Sequence, residues 1–159
     1  MPPPIIPPPI PAPLPVAETP PVPAFLQRAE GLDTESVLRL ASMVDRAVRK
    51  GNALAVENQM DLARREYRTA LALNPSCVEA YLGLGYLCFA QSQWDLALEH
   101  YSKAIGIDPN SADAHYGIGR VMLETDHVDE AVYEFQKTLT LDAQFDDARE
   151  TLTSLGVVA

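Results

Sequence analysis

Residues of the same kind return every 34 positions along this chain. Gly51, Gly85 and Gly119 are spaced in this way, as are Ala63, Ala97 and Ala131; Tyr67, Tyr101 and Phe135; Asp61, Asp95 and Asp129; and Leu73, Ile107 and Leu141. Pro75 and Pro109 keep the same interval. A period of roughly 20 to 50 residues marks a chain built from one supersecondary unit repeated, in which no unit buries its apolar face alone and stacked neighbours share a continuous core. The residue types suit a pair of antiparallel helices. Glycine and alanine are small where two helix backbones approach closely, and the aromatic fills the gap between one pair and the next. The prolines that follow Leu73 and Ile107 stop one helix and open the next, because the ring cannot continue a helix but suits its first turn.

The middle unit reads VEAYLGLGYLCFAQSQWDLALEHYSKAIGIDPNS, from Val78 to Ser111. With Tyr81, Leu84, Gly85, Ala97, Tyr101, Ala104 and Pro109 at its signature spacings, it resembles the tetratricopeptide repeat family. Val44 to Cys77 and Ala112 to Phe145 match in the same register, so the resemblance covers residues 44–145 in three units. It implies an all-α, right-handed α-solenoid of three helix pairs. Four residues depart from the family pattern: Lys50 replaces a large apolar residue, His115 an aromatic, Thr138 an alanine and Ala143 the closing proline.

The flanks extend this frame. Asp33 or Thr34 can cap a helix in which Val37, Leu38, Leu40, Ala41, Val44, Ala47 and Val48 continue into the first unit without a breaker, which predicts one long opening helix over about residues 35–57. Residues 26–43 thus form a helical extension. After the third unit, residues 146–159 carry a short capping helix that starts at Asp146 and Asp147, turns Ala148, Leu152 and Leu155 to one side and closes at Gly156. Twelve of the fourteen prolines fall before residue 24, so residues 1–25 form a proline-rich arm, expected to be disordered and to act as a spacer. A docked polyproline II segment is its alternative role. The arm lacks the basic start, apolar run and cleavage site of a secretory signal, and nothing else approaches the ~20 apolar residues of a membrane span, which points to a soluble, cytoplasmic chain.

Charge and composition argue against several function classes. A net charge of −10 opposes nucleic acid and anionic membrane surfaces as partners. The charge is uneven: residues 44–77 carry six basic and four acidic side chains, residues 112–159 three basic and ten acidic. That asymmetry suits solvated helix faces, and it would also allow copies to stack head to tail, a possible homo-oligomer. Cys77 and Cys88 lie roughly 16 Å apart if one helix carries both, too far to bridge, so Cys88 is expected to pack as a small apolar group and Cys77 to be half-exposed. His100, His115 and His127 show no metal-ligand spacing. The glycines that could suggest a phosphate loop, Gly83, Gly85, Gly117 and Gly119, fall within helices by the repeat register. No catalytic residue, cofactor or metal is therefore expected.

What remains is binding. The resemblance implies a concave groove lined by the first helix of each unit. Carried over by register, its ligand-facing residues are Asp45, Val48, Arg49, Asn52, Ala55 and Val56; Glu79, Leu82, Gly83, Tyr86, Phe89 and Ala90; and Asp113, Tyr116, Gly117, Arg120, Leu123 and Glu124. Asn52, Leu82, Tyr86, Phe89, Tyr116, Arg120 and Leu123 are the candidate peptide-binding residues. Gly51, Ala63, Tyr67, Gly85, Ala97, Tyr101, Gly119, Ala131 and Phe135 are the candidate packing residues. Some family members clamp a chaperone's C-terminal carboxylate with lysine, asparagine and arginine. Of those places only Asn52 matches, and Val48, Gly83, Asp113 and Gly117 occupy the others. The expected partner is a protein or peptide with apolar anchors, held by an adaptor or scaffold. A type III secretion chaperone is the alternative, since Leu82-Gly83-Leu84-Gly85 resembles that class.

Overall fold

The computed structural model describes Gly31 and residues 33–157. Among the described residues seven helices follow one another: α1 (Thr34–Val56), α2 (Met60–Leu73), α3 (Val78–Ala90), α4 (Trp94–Ile107), α5 (Ala112–Glu124), α6 (Val128–Leu141) and α7 (Asp146–Ser154). The proline-rich arm lies outside the described residues. The Asp33 side chain accepts the Ser36 amide at 2.7 Å and so caps α1.

The 34-residue period extends to the turns. At the end of α1, Gln59 N donates to Leu54 O and Asn58 N to Ala55 O; Gln93 to Cys88 and His127 to Met122 repeat the longer bond after α3 and α5. This closure needs one residue of positive φ, and Asn58, Ser92 and Asp126 supply it at 59°, 56° and 65°. Between pairs, the side chains of Asn74, Asp108 and Asp142 accept the amides of Ser76, Asn110 and Gln144 at 3.0, 3.0 and 2.9 Å. Proline is thus dispensable at Ala143, because the Asp142 carboxylate closes the turn without it.

The helices pair as α1/α2, α3/α4 and α5/α6, with α7 against α6. The first helices of successive pairs also touch one another (α1 to α3, α3 to α5), whereas the second helices are splayed apart. The stack therefore curves, with α1, α3 and α5 on its inner side and α2, α4 and α6 outside. Each seam is plugged by an aromatic ring. A Cβ added at Gly51 or Gly83 would lie 2.7 or 2.3 Å from the Tyr67 ring, and one at Gly85 or Gly117 2.6 Å from Tyr101. Phe135 packs in the same way on Gly119. Ala63, Ala97 and Ala131 are fully buried beneath these rings.

This packing corrects three expectations. Gly117, read as ligand-facing, is buried because the preceding unit's Tyr101 needs its backbone surface, whereas Gly83, seated on Tyr67 in the same way, still borders the inner-face pocket. Val48 is buried as well, in the core with Ala47 and Tyr67. Cys77 is 4% exposed rather than half-exposed, since it sits at the start of α3 within that core, its thiol bonded to Glu79 Oε2 at 3.4 Å. Burial pushes its pKa up to about 11, the backbone amide of Ala80 opposing and Glu79 adding to the rise.

The other departures from the family pattern are matched by local partners. Lys50 Nζ pairs with Glu66 at 2.5 Å. Buried His115 bonds Glu134 Oε2 through Nδ1 at 2.7 Å and the Pro109 carbonyl through Nε2 at 3.3 Å. The Thr138 hydroxyl donates to the Glu134 carbonyl at 2.9 Å. At the far end, α7 buries Ala148 and Leu152 against the Phe135 cluster and leaves Arg149, Glu150, Thr153 and Ser154 exposed, so the solenoid ends on a polar face.

Candidate functional site

The inner face is lined by α1, α3 and α5, and the structure divides its seven candidate residues into two sets. Asn52, Leu82 and Tyr86 border a shallow pocket of about 430 Å³, together with Ala55, Val56, Tyr67, Gly83, Glu79 and Asp113. Tyr86 is 45% exposed and Val56 89% exposed, large apolar surfaces left uncovered beside partly buried Leu82. The floor is held by a single bond: the Tyr67 hydroxyl donates to Asn52 Oδ1 at 2.7 Å. That contact occupies the amide oxygen and leaves the two N–H donors of Asn52 for a ligand's backbone carbonyls. Burial, reinforced by the neighbouring Tyr86, raises the Tyr67 pKa, so the floor stays neutral at physiological pH.

The second set is engaged within the protein. Phe89 meets Trp94 edge to face at 5.3 Å, and the Arg120 guanidinium lies 4.1 Å above its other surface. Tyr116 stands between Phe135 (5.6 Å) and Phe145 (4.9 Å), and Leu123 joins the same cluster. Uncovered apolar surface is therefore concentrated at the α1/α3 end of the inner face. Arg120 covers an aromatic ring that would otherwise continue it.

Charge flanks the pocket at three of the places that register turns toward the groove. Asp45, Glu79 and Asp113 stand at the second place of each unit, 34 apart, and are all exposed. Asp45 is paired with Arg49 at 3.0 Å, but Glu79 and Asp113 both border the Tyr86 pocket. The signal was legible as an acid recurring at a groove-facing place. Among the described residues no group of three or more His, Cys, Asp or Glu is arranged to hold a metal ion, and no helix is long and apolar enough to cross a membrane.

Helix pairs stacked about glycine-seated aromatics, with an open pocket on the inner face, define an α-solenoid of the kind that serves as a protein–protein interaction module. The chain belongs to the tetratricopeptide repeat family: two models of that description match residues 48–112 and 89–149. No curated protein sequence matches the chain. Solved structures resemble it in fold. The TPR domain of Arabidopsis OM64 is 24% identical with a TM-score of 0.65, over 70% of this chain and 93% of that one. A mutant O-GlcNAc transferase of Thermobaculum terrenum is 22% identical with a TM-score of 0.68, over 72% of this chain but 22% of the transferase. The first TPR of Spaghetti (RPAP3), bound to the HSP90 peptide SRMEEVD, is 16% identical with a TM-score of 0.66, over 72% and 91% of the two chains.

Proposed function

We propose that this protein is a non-catalytic adaptor that holds a polypeptide segment on its inner face, anchored by an apolar side chain of the ligand in the pocket of Leu82, Tyr86 and Val56. The observation that carries this reading is the uncovered Tyr86 and Val56 beside a polar floor that Tyr67 and Asn52 keep in place. An apolar surface left open beside directional hydrogen-bond donors suits a peptide, whose side chain fills the pocket and whose backbone carbonyls meet Asn52. Glu79 and Asp113 disfavour acidic peptides of the SRMEEVD type, since a carboxylate placed beside them is repelled. They favour a ligand with neutral or basic residues next to its anchor.

The test is partner capture by the full chain beside its Tyr86→Ala variant, with circular dichroism to show that both are folded. Loss of an exposed aromatic anchor is expected to weaken capture by about tenfold or more. Equal capture by both proteins moves the site off this pocket. A partner that is captured only while unfolded, and released on folding, would make the protein a chaperone rather than an adaptor.

A further inference from the structure

The outer face carries a second feature, independent of the groove. Because α2 and α4 are splayed apart, a furrow runs between them with α3 as its floor. Five described cations pair with carboxylates: Arg39, Arg49, Lys50, Lys103 and Arg149. Arg64, Arg65 and Arg68 on α2 pair with no described carboxylate, although the protein carries 22 acidic residues. Arg64 Nη2 reaches across to the Gln91 side chain at 2.6 Å, at the end of α3. From α4, His100 lies 6.3 Å from the Tyr81 ring of α3, and Lys103 stands 6.0 Å over the same ring.

Two nitrogens in this furrow are buried without a hydrogen-bond partner among the described residues, Arg64 Nε and His100 Nδ1. Buried polar groups are ordinarily satisfied, so each marks a place where a partner fits. The repeat itself shows what kind. Glu66, His100 and Glu134 occupy equivalent positions, 34 apart. In the first unit Glu66 holds Lys50, and in the third Glu134 accepts from a buried imidazole. In the middle unit His100 replaces the carboxylate, and Leu84 and Tyr81 stand where the other units have Lys50 and His115; the positive charges near His100 come instead from Arg64 and Arg68 of α2 and from Lys103. Glu99, the nearest acid, is committed to Lys103 at 2.6 Å. Burial holds the His100 pKa below its ordinary value; the Lys103, Arg64 and Arg68 charges add to this and Glu99 opposes it.

We infer that this furrow is an oxyanion site: Arg64, Arg68 and His100, with Lys103 at its rim, bind a phosphate or carboxylate group presented by a polypeptide partner. Arginine supplies the planar forked donors such groups fit, and an anion would supply the acceptor that the Arg64 and His100 nitrogens lack. Bound anion favours the imidazolium, so affinity rises as pH falls toward the His100 midpoint.

The histidine ring resonances of the full chain are followed by NMR through a pH titration, with and without inorganic phosphate at matched ionic strength. The His100 midpoint is expected to rise with phosphate. Arg64→Gln with Arg68→Gln is expected to weaken phosphate binding about tenfold or more, and Tyr86→Ala to leave it unchanged. A glutamate-rich peptide and a phosphoserine peptide then identify the source: tighter binding of either than of free phosphate supports the site and names its group. An unmoved His100 midpoint, or equal phosphate affinity in the folded double arginine variant, overturns the proposal. Loss of phosphate binding in Tyr86→Ala would do the same by returning the anion to the groove.

Discussion

At the scale of single residues, glycine has opposite meanings at two places in this chain. At Gly83 an added methyl would lie 2.3 Å from the Tyr67 ring, and that ring is itself held in its seam. Gly83→Ala is therefore expected to destabilise the fold by about 1–3 kcal/mol. Gly106, in the last turn of α4, has nothing within 4 Å of its missing Cβ, and Gly106→Ala is expected to stabilise by about 0.5–1 kcal/mol through helix propensity. Urea denaturation of the pair checks both signs, and a shared sign would contradict the seam packing. Cys77 adds a pH dependence. Its folded pKa, about 11, lies above the ordinary 9.0, so its contribution is complete below pH 9 and is lost as pH rises through 11. The loss amounts to about 3 kcal/mol, and Cys77→Ala is expected to remove it, leaving alkaline unfolding to the other groups that burial raises, Cys88, Tyr67 and Tyr101, the last up to about 12. Thermal midpoints of both proteins between pH 9.0 and about 11, the span of the Cys77 shift, provide the measurement.

At the scale of elements, the interest lies in how each helix stops. Three of the turns end on a non-glycine residue in the left-handed region, and in Ser92 neither a branched amide nor a carboxylate helps the residue adopt it. Ser92→Gly is expected to raise stability by about 1 kcal/mol, measured as a shift in the urea midpoint without a change of slope. A fall in stability would mean that the serine makes a contact beyond its backbone role. The element pairs also explain why the atypical residues are harmless. Lys50, His115, Thr138 and Ala143 each break the family pattern, yet each finds a compensating partner: Glu66 and Glu134 on the paired helix for Lys50 and His115, the Glu134 carbonyl one turn back for Thr138, and the Asp142 carboxylate for the turn at Ala143.

At the scale of the molecule, helices touch only neighbouring units, so stability is a sum of units and interfaces rather than the property of one core. Leu152 of α7, fully buried in the Phe135 cluster, closes the last interface. Leu152→Ala is expected to cost about 2–5 kcal/mol and to act locally. Hydrogen exchange should speed up in α6 and α7 while α3 and α4 keep their protection. Uniform acceleration along the chain would instead show that the solenoid opens as a single unit. The stack is also unsymmetrical: polar α7 closes one end, while α1 leaves Leu38 and Met43 exposed at the other.

The period of 34 carried most of the fold, because a repeat's packing residues must recur wherever its interfaces do. Gly51, Ala63, Tyr67 and their counterparts, the opening helix and the terminal cap were all readable from spacing and helix signals alone. The groove was readable only in part. Register names the residues that turn toward the inner side, but exposure depends on what arrives from other units. Tyr67 covers Gly83 from the unit before, Phe145 covers Tyr116 from the turn after, and Arg120 lies on Phe89 from the next unit. The outer face is likewise decided between units, since the charges of Arg64 and Arg68 on α2 act on His100 of α4 in the next unit. Periodicity along a chain determines which side of a helix each residue occupies; distances between helices decide which of those residues remain open.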